Sequence, residues 1–136
     1  MAMTSAIKYT TAPDGVAIAY EALGSGPPLL YSRAFISNLE LQRRDPAVER
    51  FFAPLREHRT VVWYDTRGNG LSEWDLPNSI TKDDLLADLE AVADTIEEPT
   101  FDLWGTTYAG PLVIEFVARH PERVNRLILD GTFIAG

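Results

Sequence analysis

Two histidines, no cysteine and a threonine inside the glycine-bracketed run Gly105-Thr106-Thr107-Tyr108-Ala109-Gly110-Pro111 bound the chemistry open to these 136 residues. With no cysteine there is no thiol nucleophile, and the candidate in this run is a threonine hydroxyl, which is almost wholly protonated at neutral pH. It attacks only with a base in hydrogen-bond reach. His58 is predicted near the end of one helix, and His120 at the end of another, about four helical turns along from Thr107. Neither is expected to reach Thr107, and both read as structural or surface residues. Two imidazoles and no thiolate also leave little for a metal to bind, and no cofactor is expected.

Composition narrows the setting. At 46% hydrophobic and 24% charged residues, the chain reads as one ordinary globular domain over residues 1–136. Its longest apolar stretches, around Pro27 to Tyr31 and Val61 to Tyr64, fall far short of the roughly 20 residues a membrane helix requires, so no membrane partner is expected. Met1 to Ala6 shows no basic region followed by an apolar run, which makes the cytoplasm the expected location. A net charge of -8 repels phosphate backbones, and nucleic-acid binding is not expected.

The elements that position the hydroxyl follow from the pattern. Ile7 to Thr11 and Val16 to Ala22 alternate apolar and polar residues around Pro13-Asp14-Gly15, which predicts a hairpin. Pro28 to Ser32 and Thr60 to Tyr64 are short apolar runs of buried-strand type. Asp45-Pro46 opens a helix toward Glu57, with Pro54 expected to strain it. Thr81 and Asp84 form a capping-box pattern ahead of Leu85, Leu86, Leu89, Val92, Ala93 and Ile96, all on one helical face. Thr100 to Trp104 is predicted as a strand, Gly105 to Ala109 as a tight turn and Gly110 to Arg119 as a helix stopped by Pro121. Arg126 to Asp130 is the last strand. The order β-β-β-α-β-α-β-α-β implies a mostly parallel sheet with helices on both faces, behind an antiparallel hairpin.

A strand, the run from Gly105 to Pro111 and then a helix resemble the nucleophile elbow of the α/β-hydrolase family, G-x-S-x-G, with Thr107 for Ser and Ala109 for the last Gly. Asp65-Thr66-Arg67-Gly68-Asn69-Gly70-Leu71-Ser72 is similar to that family's D-x-R-G-x-G-x-S loop, and Ala118 to Val124 to its A-x-H-P-E-R-V helix ending. A narrower likeness lies in Ile36 to Glu40, Gly70 to Asp75 and Asp130 to Gly136. These resemble the hydrolase-like domains fused to bacterial adenylate cyclases and helix-turn-helix regulators. The implied fold is a partial α/β-hydrolase fold ending after strand six. The family's acid, after strand seven, and its histidine, after strand eight, are then not encoded here.

The resemblance assigns Thr107 the nucleophile position. It assigns the oxyanion donors to the backbone NH groups of Tyr108 and Phe35. A β-branched residue resists positive φ, so the elbow is expected to have relaxed, leaving Thr107 structural. Arg33 and Ala34 replace the family's usual His-Gly. Arg33 is expected to solvate the surface, with attraction of a carboxylate as the alternative. Asp65, Arg67 and Ser72 read as turn scaffolding.

Three functions are compatible with this reading. The first is a degenerate hydrolase-like domain, inactive alone, with a pocket near Phe35, Thr107 and Tyr108 for a small apolar ligand. The second is an ester hydrolase using Thr107 and completed by residues elsewhere. The third is a self-association module, in which the apolar edge Leu127-Ile128-Leu129 pairs with a second copy as a homodimer.

Overall fold

Pro13, Asp14 and Gly15 reverse the chain, Gly15 taking φ +90°, where glycine meets no Cβ penalty. Ala12 N–H donates to the Val16 carbonyl at 2.9 Å and closes the turn. The computed structural model describes residues 7–33 and 36–134. The turn joins β1 (Lys8–Thr11) to β2 (Ala17–Gly24), antiparallel, with Lys8 opposite Tyr20 and Thr11 opposite Ala17. β3 (Pro28–Ser32) and β4 (Thr60–Tyr64) match their apolar runs.

Between β3 and β4 the structure has two helices where the sequence pattern implied one. α1 (Leu39–Arg44) is capped by Asn38, whose side chain accepts from Leu41 N–H at 3.1 Å. One turn and a half carries little periodic signal, so its amphipathicity does not show in the sequence. α2 (Pro46–Arg56) starts as expected: Asp45 accepts from Ala47 N–H at 2.8 Å, and Pro46 occupies the first turn. Pro54 lies inside this helix, which continues to Arg56. α3 (Lys82–Ala93) carries the full capping box of Thr81 and Asp84 and buries Leu86, Leu89, Val92 and Ala93. β5 (Phe101–Thr106), α4 (Gly110–Arg119) and β6 (Val124–Asp130) complete the order.

The described strands form one sheet in the order β1-β2-β4-β3-β5-β6, with β3, β4, β5 and β6 parallel. Period-two alternation then sorts the side chains onto two faces. Leu30, Val62, Phe101 and Leu103 pack with α3 and α4, whereas Leu29, Val61, Trp63 and Trp104 face α1 and α2 with Leu39 and Phe52. β5 is buried throughout; β6 is partly exposed along its whole length.

Buried charges are tied to this frame. Glu21 accepts from Trp63 Nε1 at 2.9 Å and from Arg43 at 2.9 Å. Arg67, buried after β4, reaches Asp88 at 2.7 Å and Asp14 at 2.6 Å, so one guanidinium joins the hairpin, the β4 loop and α3. No helix among the described residues is long and apolar enough to cross a membrane.

Candidate functional site

β5 ends in the extended residue Thr106, and the next residue, Thr107, turns to φ +52°, the one non-glycine residue with positive φ among those described. The expected relaxation of the elbow is therefore overturned. The surroundings hold the turn. Gly105 has no side chain because an added Cβ would stand 2.5 Å from Val113 Cγ2, so α4 packs directly back onto the strand. Residues 107–109 then make a single 3-10 turn that runs into α4. Ala109, at φ -80°, lies fully buried and needs no glycine there. The close approach falls one residue later, where a Cβ on Gly110 would meet Thr132 Oγ1 at 2.2 Å. A strained residue of this kind costs about 1–3 kcal/mol, and it persists where packing over-determines it.

The Thr107 hydroxyl donates to the Arg33 carbonyl at 3.3 Å. The Thr107 carbonyl in turn accepts from the Thr132 hydroxyl. Residues 131–133 thus fold back over the elbow, and Phe133 meets the exposed Tyr108 edge-on at 6.0 Å between centroids. Thr107, Tyr108, Gly131, Thr132 and Phe133 line an open depression of about 340 Å³. Phe35, the second oxyanion position, lies outside the described residues.

Arg33 belongs to a neighbouring cleft of about 350 Å³, whose walls include Tyr31, Val48, Phe51, Phe52 and Trp104. Its rim carries Arg33, Gln42, Thr106 and Asp130. The aromatics touch one another: Tyr31 stands 4.4 Å from Trp104 and 5.5 Å from Phe52 between centroids. The buried Trp104 Nε1 has no hydrogen-bond partner among the described residues, and an unsatisfied buried donor costs about 1–3 kcal/mol. This cleft went unread at the sequence level, although alternation offered a signal. Tyr31 and Trp104 are register partners in β3 and β5 and so share a face.

Both histidines are accounted for elsewhere. His120 ends α4, pairs with Glu90 at 2.7 Å and lies 4.8 Å from the Phe116 ring. His58 sits with Pro27, Pro28, Thr100 and Phe101 at the opposite end of the parallel strands. The six residues of β5 separate that end from Thr107, roughly 20 Å at about 3.3 Å per residue. Burial pushes the Tyr64 hydroxyl above its ordinary pKa, against the bond it shares with Ser32 at 2.7 Å, so Tyr64 supplies no phenolate base.

The loop after β4 is a brace. Asp65 accepts from Leu39 N–H at 3.1 Å and Leu71 N–H at 2.9 Å, and a Cβ on Gly70 would stand 2.1 Å from its Oδ2. Ser72 donates to the Asp65 carbonyl at 2.5 Å and accepts from Ala19 N–H at 2.8 Å. Its hydroxyl is thereby committed to the backbone.

Comparison with known proteins agrees with this architecture. The family described as alpha/beta hydrolase fold matches residues 27–135. A proline iminopeptidase from Arabidopsis thaliana is 29% identical over 93 residues, covering 65% of this chain and 23% of that protein. A 2-hydroxymuconate semialdehyde hydrolase from Pseudomonas sp. (strain CF600) is 33% identical over 78 residues, covering 57% of this chain and 28% of that one. The crystal structure of a hydrolase from Pseudomonas aeruginosa PA01 aligns with a TM-score of 0.78 at 25% identity, covering 93% of this chain and 46% of the other. The chain spans less than half the length of each of these three relatives.

Proposed function

The chain belongs to the α/β-hydrolase fold family, and on that premise we propose that it is a hydrolase-like domain without turnover of its own that binds a small apolar ligand beside its elbow. One observation carries this reading: the elbow holds Thr107 in the strained nucleophile conformation, while both imidazoles of the chain are placed away from it. A hydroxyl without a base remains protonated, and oxyanion donors alone give limited acceleration.

The cleft supports the binding half of the proposal. Tyr31, Phe51, Phe52 and Trp104 supply aromatic walls, and Arg33 stands at the rim. That set suits a small, largely apolar ligand whose aromatic ring lies against the aromatics and whose one polar group, a carboxylate, turns outward to Arg33 at the rim. The narrower resemblance to domains joined to cyclases and transcriptional regulators favours binding over turnover.

A second reading is favoured by the strain at Thr107, since a relaxed turn would be the cheaper state for an idle site. There the chain is an ester hydrolase whose base comes from residues outside these 136.

Two assays test the proposal on the 136-residue chain. With p-nitrophenyl acetate, release should match buffer and be unchanged in Thr107→Ala; turnover above buffer that vanishes in that variant overturns it. With naphthalene-2-carboxylate, titration should quench tryptophan fluorescence and weaken several-fold in Arg33→Ala and Phe51→Ala. No saturable quenching, or quenching indifferent to both changes, removes the ligand proposal.

A further inference from the structure

Two adjacent residues where β4 ends hold the two ends of the loop that follows β3. Tyr64 shares a hydrogen bond with Ser32, the last residue of β3, at 2.7 Å between hydroxyl oxygens. Asp65 accepts from the Ser37 hydroxyl at 2.5 Å. Ser32, Tyr64 and Asp65 are all buried. The segment between the two serines, residues 33–36, starts with Arg33. Its carbonyl accepts the Thr107 hydroxyl at 3.3 Å, and its side chain stands at the rim of the aromatic cleft. One residue of the loop thus serves the elbow and the cleft together.

We propose that Asp65 is a positioning residue for the elbow, setting through this loop where the Arg33 carbonyl meets the Thr107 hydroxyl; the use of that geometry in ligand binding rests on the function proposed above. The acceptor chemistry fits the task. A carboxylate offers two oxygens and about four lone-pair sites. Asp65 uses them on donors from two segments: the Ser37 hydroxyl on Oδ1, and the backbone NH groups of Leu39 and Leu71 on Oδ2 at 3.1 Å and 2.9 Å. An asparagine there would turn an NH2 group toward one of these donors.

The carboxylate is itself fixed, so it can fix the loop. Asp65 N–H donates to the Ala19 carbonyl at 3.0 Å, and the Asp65 carbonyl accepts from Ser72, whose oxygen accepts from Ala19 N–H at 2.8 Å. Its backbone is therefore locked to β2. Gly70 closes the other side, where a Cβ would stand 2.1 Å from Asp65 Oδ2 and 2.8 Å from the Ser37 carbonyl. Side chains held in this way from behind are what keep a site group in place. Without Asp65, the loop is tied at its near end by β3, whose last pair is Ser32 with Gly105. The bond from Thr107 to Arg33, at 3.3 Å, is longer than the usual range of about 2.5–3.0 Å between two oxygens. Loop movement of about half an ångström breaks it.

The Arg33 carbonyl carbon reports this bond directly, because its NMR resonance moves when its oxygen loses a hydrogen bond. Thr107→Val keeps the β-branch, removes the hydroxyl and so defines the resonance of the unbonded carbonyl. Ser37→Ala should move the parent resonance most of the way to that position, and adding Thr107→Val to it should move the resonance little further. Ser37→Thr, which keeps a hydroxyl for Asp65, should leave the parent resonance in place. Asp65→Asn should act as Ser37→Ala does; far-UV circular dichroism checks that each variant is folded, and the Ser37 pair decides if Asp65→Asn is not. A residue that only stabilises the fold would lower the urea midpoint in Ser37→Ala and leave the Arg33 resonance unmoved, which overturns the proposal. So does a full further shift when Thr107→Val is added. On the function proposed above, Ser37→Ala should also weaken naphthalene-2-carboxylate several-fold. A parent chain that binds none of it removes the ligand reading alone, because the carbonyl resonance decides the positioning without a ligand.

Discussion

Replacing Thr107 with glycine should stabilise this protein, although it removes a hydroxyl and a hydrogen bond. Thr107 sits at φ +52° with a β-branched side chain, a conformation costing about 1–3 kcal/mol. Glycine adopts it without that cost. Against the gain stand about 0.4–1 kcal/mol for greater freedom of the unfolded chain and about 0.5 kcal/mol for the exposed bond to the Arg33 carbonyl. Central values leave a net stabilisation of about 1 kcal/mol, or roughly 0.5 M in the urea midpoint at a typical slope for a small protein. Thr107→Ala is the control. Alanine loses the same bond but keeps a Cβ, which still costs about 1–2 kcal/mol in the left-handed region, so the glycine variant should exceed it by about 1 kcal/mol. Urea unfolding of all three chains by far-UV circular dichroism provides the measurement. A glycine variant no more stable than the alanine variant, at equal slopes, would refute the strain at this turn.

Arg67→Ala should cost about 3–5 kcal/mol because it strands the buried Asp88 carboxylate, and adding Asp88→Asn should recover part of the loss; equal stability of Arg67→Ala and the parent would contradict this. Thr81→Ala should cost about 1 kcal/mol by removing the α3 cap, read as a lower urea midpoint at unchanged slope. Stability should fall below about pH 4, near the ordinary carboxylate range. The side-chain bond from Arg67 holds Asp14 below its ordinary pKa, the Thr81 backbone bond does the same for Asp84, and Lys82 for Glu115. Each carboxylate takes its proton in the unfolded chain first as pH falls, so its contribution is lost as pH drops through the lowered folded value. Asp88 acts in the opposite sense, since burial raises it against its Arg67 bonds and the folded chain takes that proton earlier. Urea midpoints between pH 7 and pH 3 should therefore decline overall, and a rise across that window would contradict the assignment.

Local signals in the sequence carried most of the fold. The Thr81 box, the Asp45-Pro46 start and the short apolar runs of β3 and β4 act within a few residues, and each appears where the pattern put it. α1 escaped because six residues are too few for periodicity to register, and only the Asn38 cap marks it. Thr107 shows a different limit. Propensity argued for a relaxed turn, yet Gly105 against Val113, Gly110 under Thr132 and the carbonyl bond to Thr132 fix the backbone from three sides. Such long-range constraints outweigh a local preference of a few kcal/mol. The cleft was legible only through pairing, since Tyr31 and Trp104 are 73 positions apart and meet because β3 and β5 are neighbours.

The central proposal, a strained elbow whose hydroxyl has no base to activate it, is tested most directly by covalent labelling of Thr107→Ser with a fluorophosphonate probe. Serine restores the family's nucleophile type at that position and removes the β-branch, so the absence of a base is the remaining barrier. The account predicts labelling of the folded variant no faster than that of Thr107→Ala. Labelling at the rate of an intact serine hydrolase, confined to position 107, would contradict it and show that a base within these 136 residues reaches the elbow.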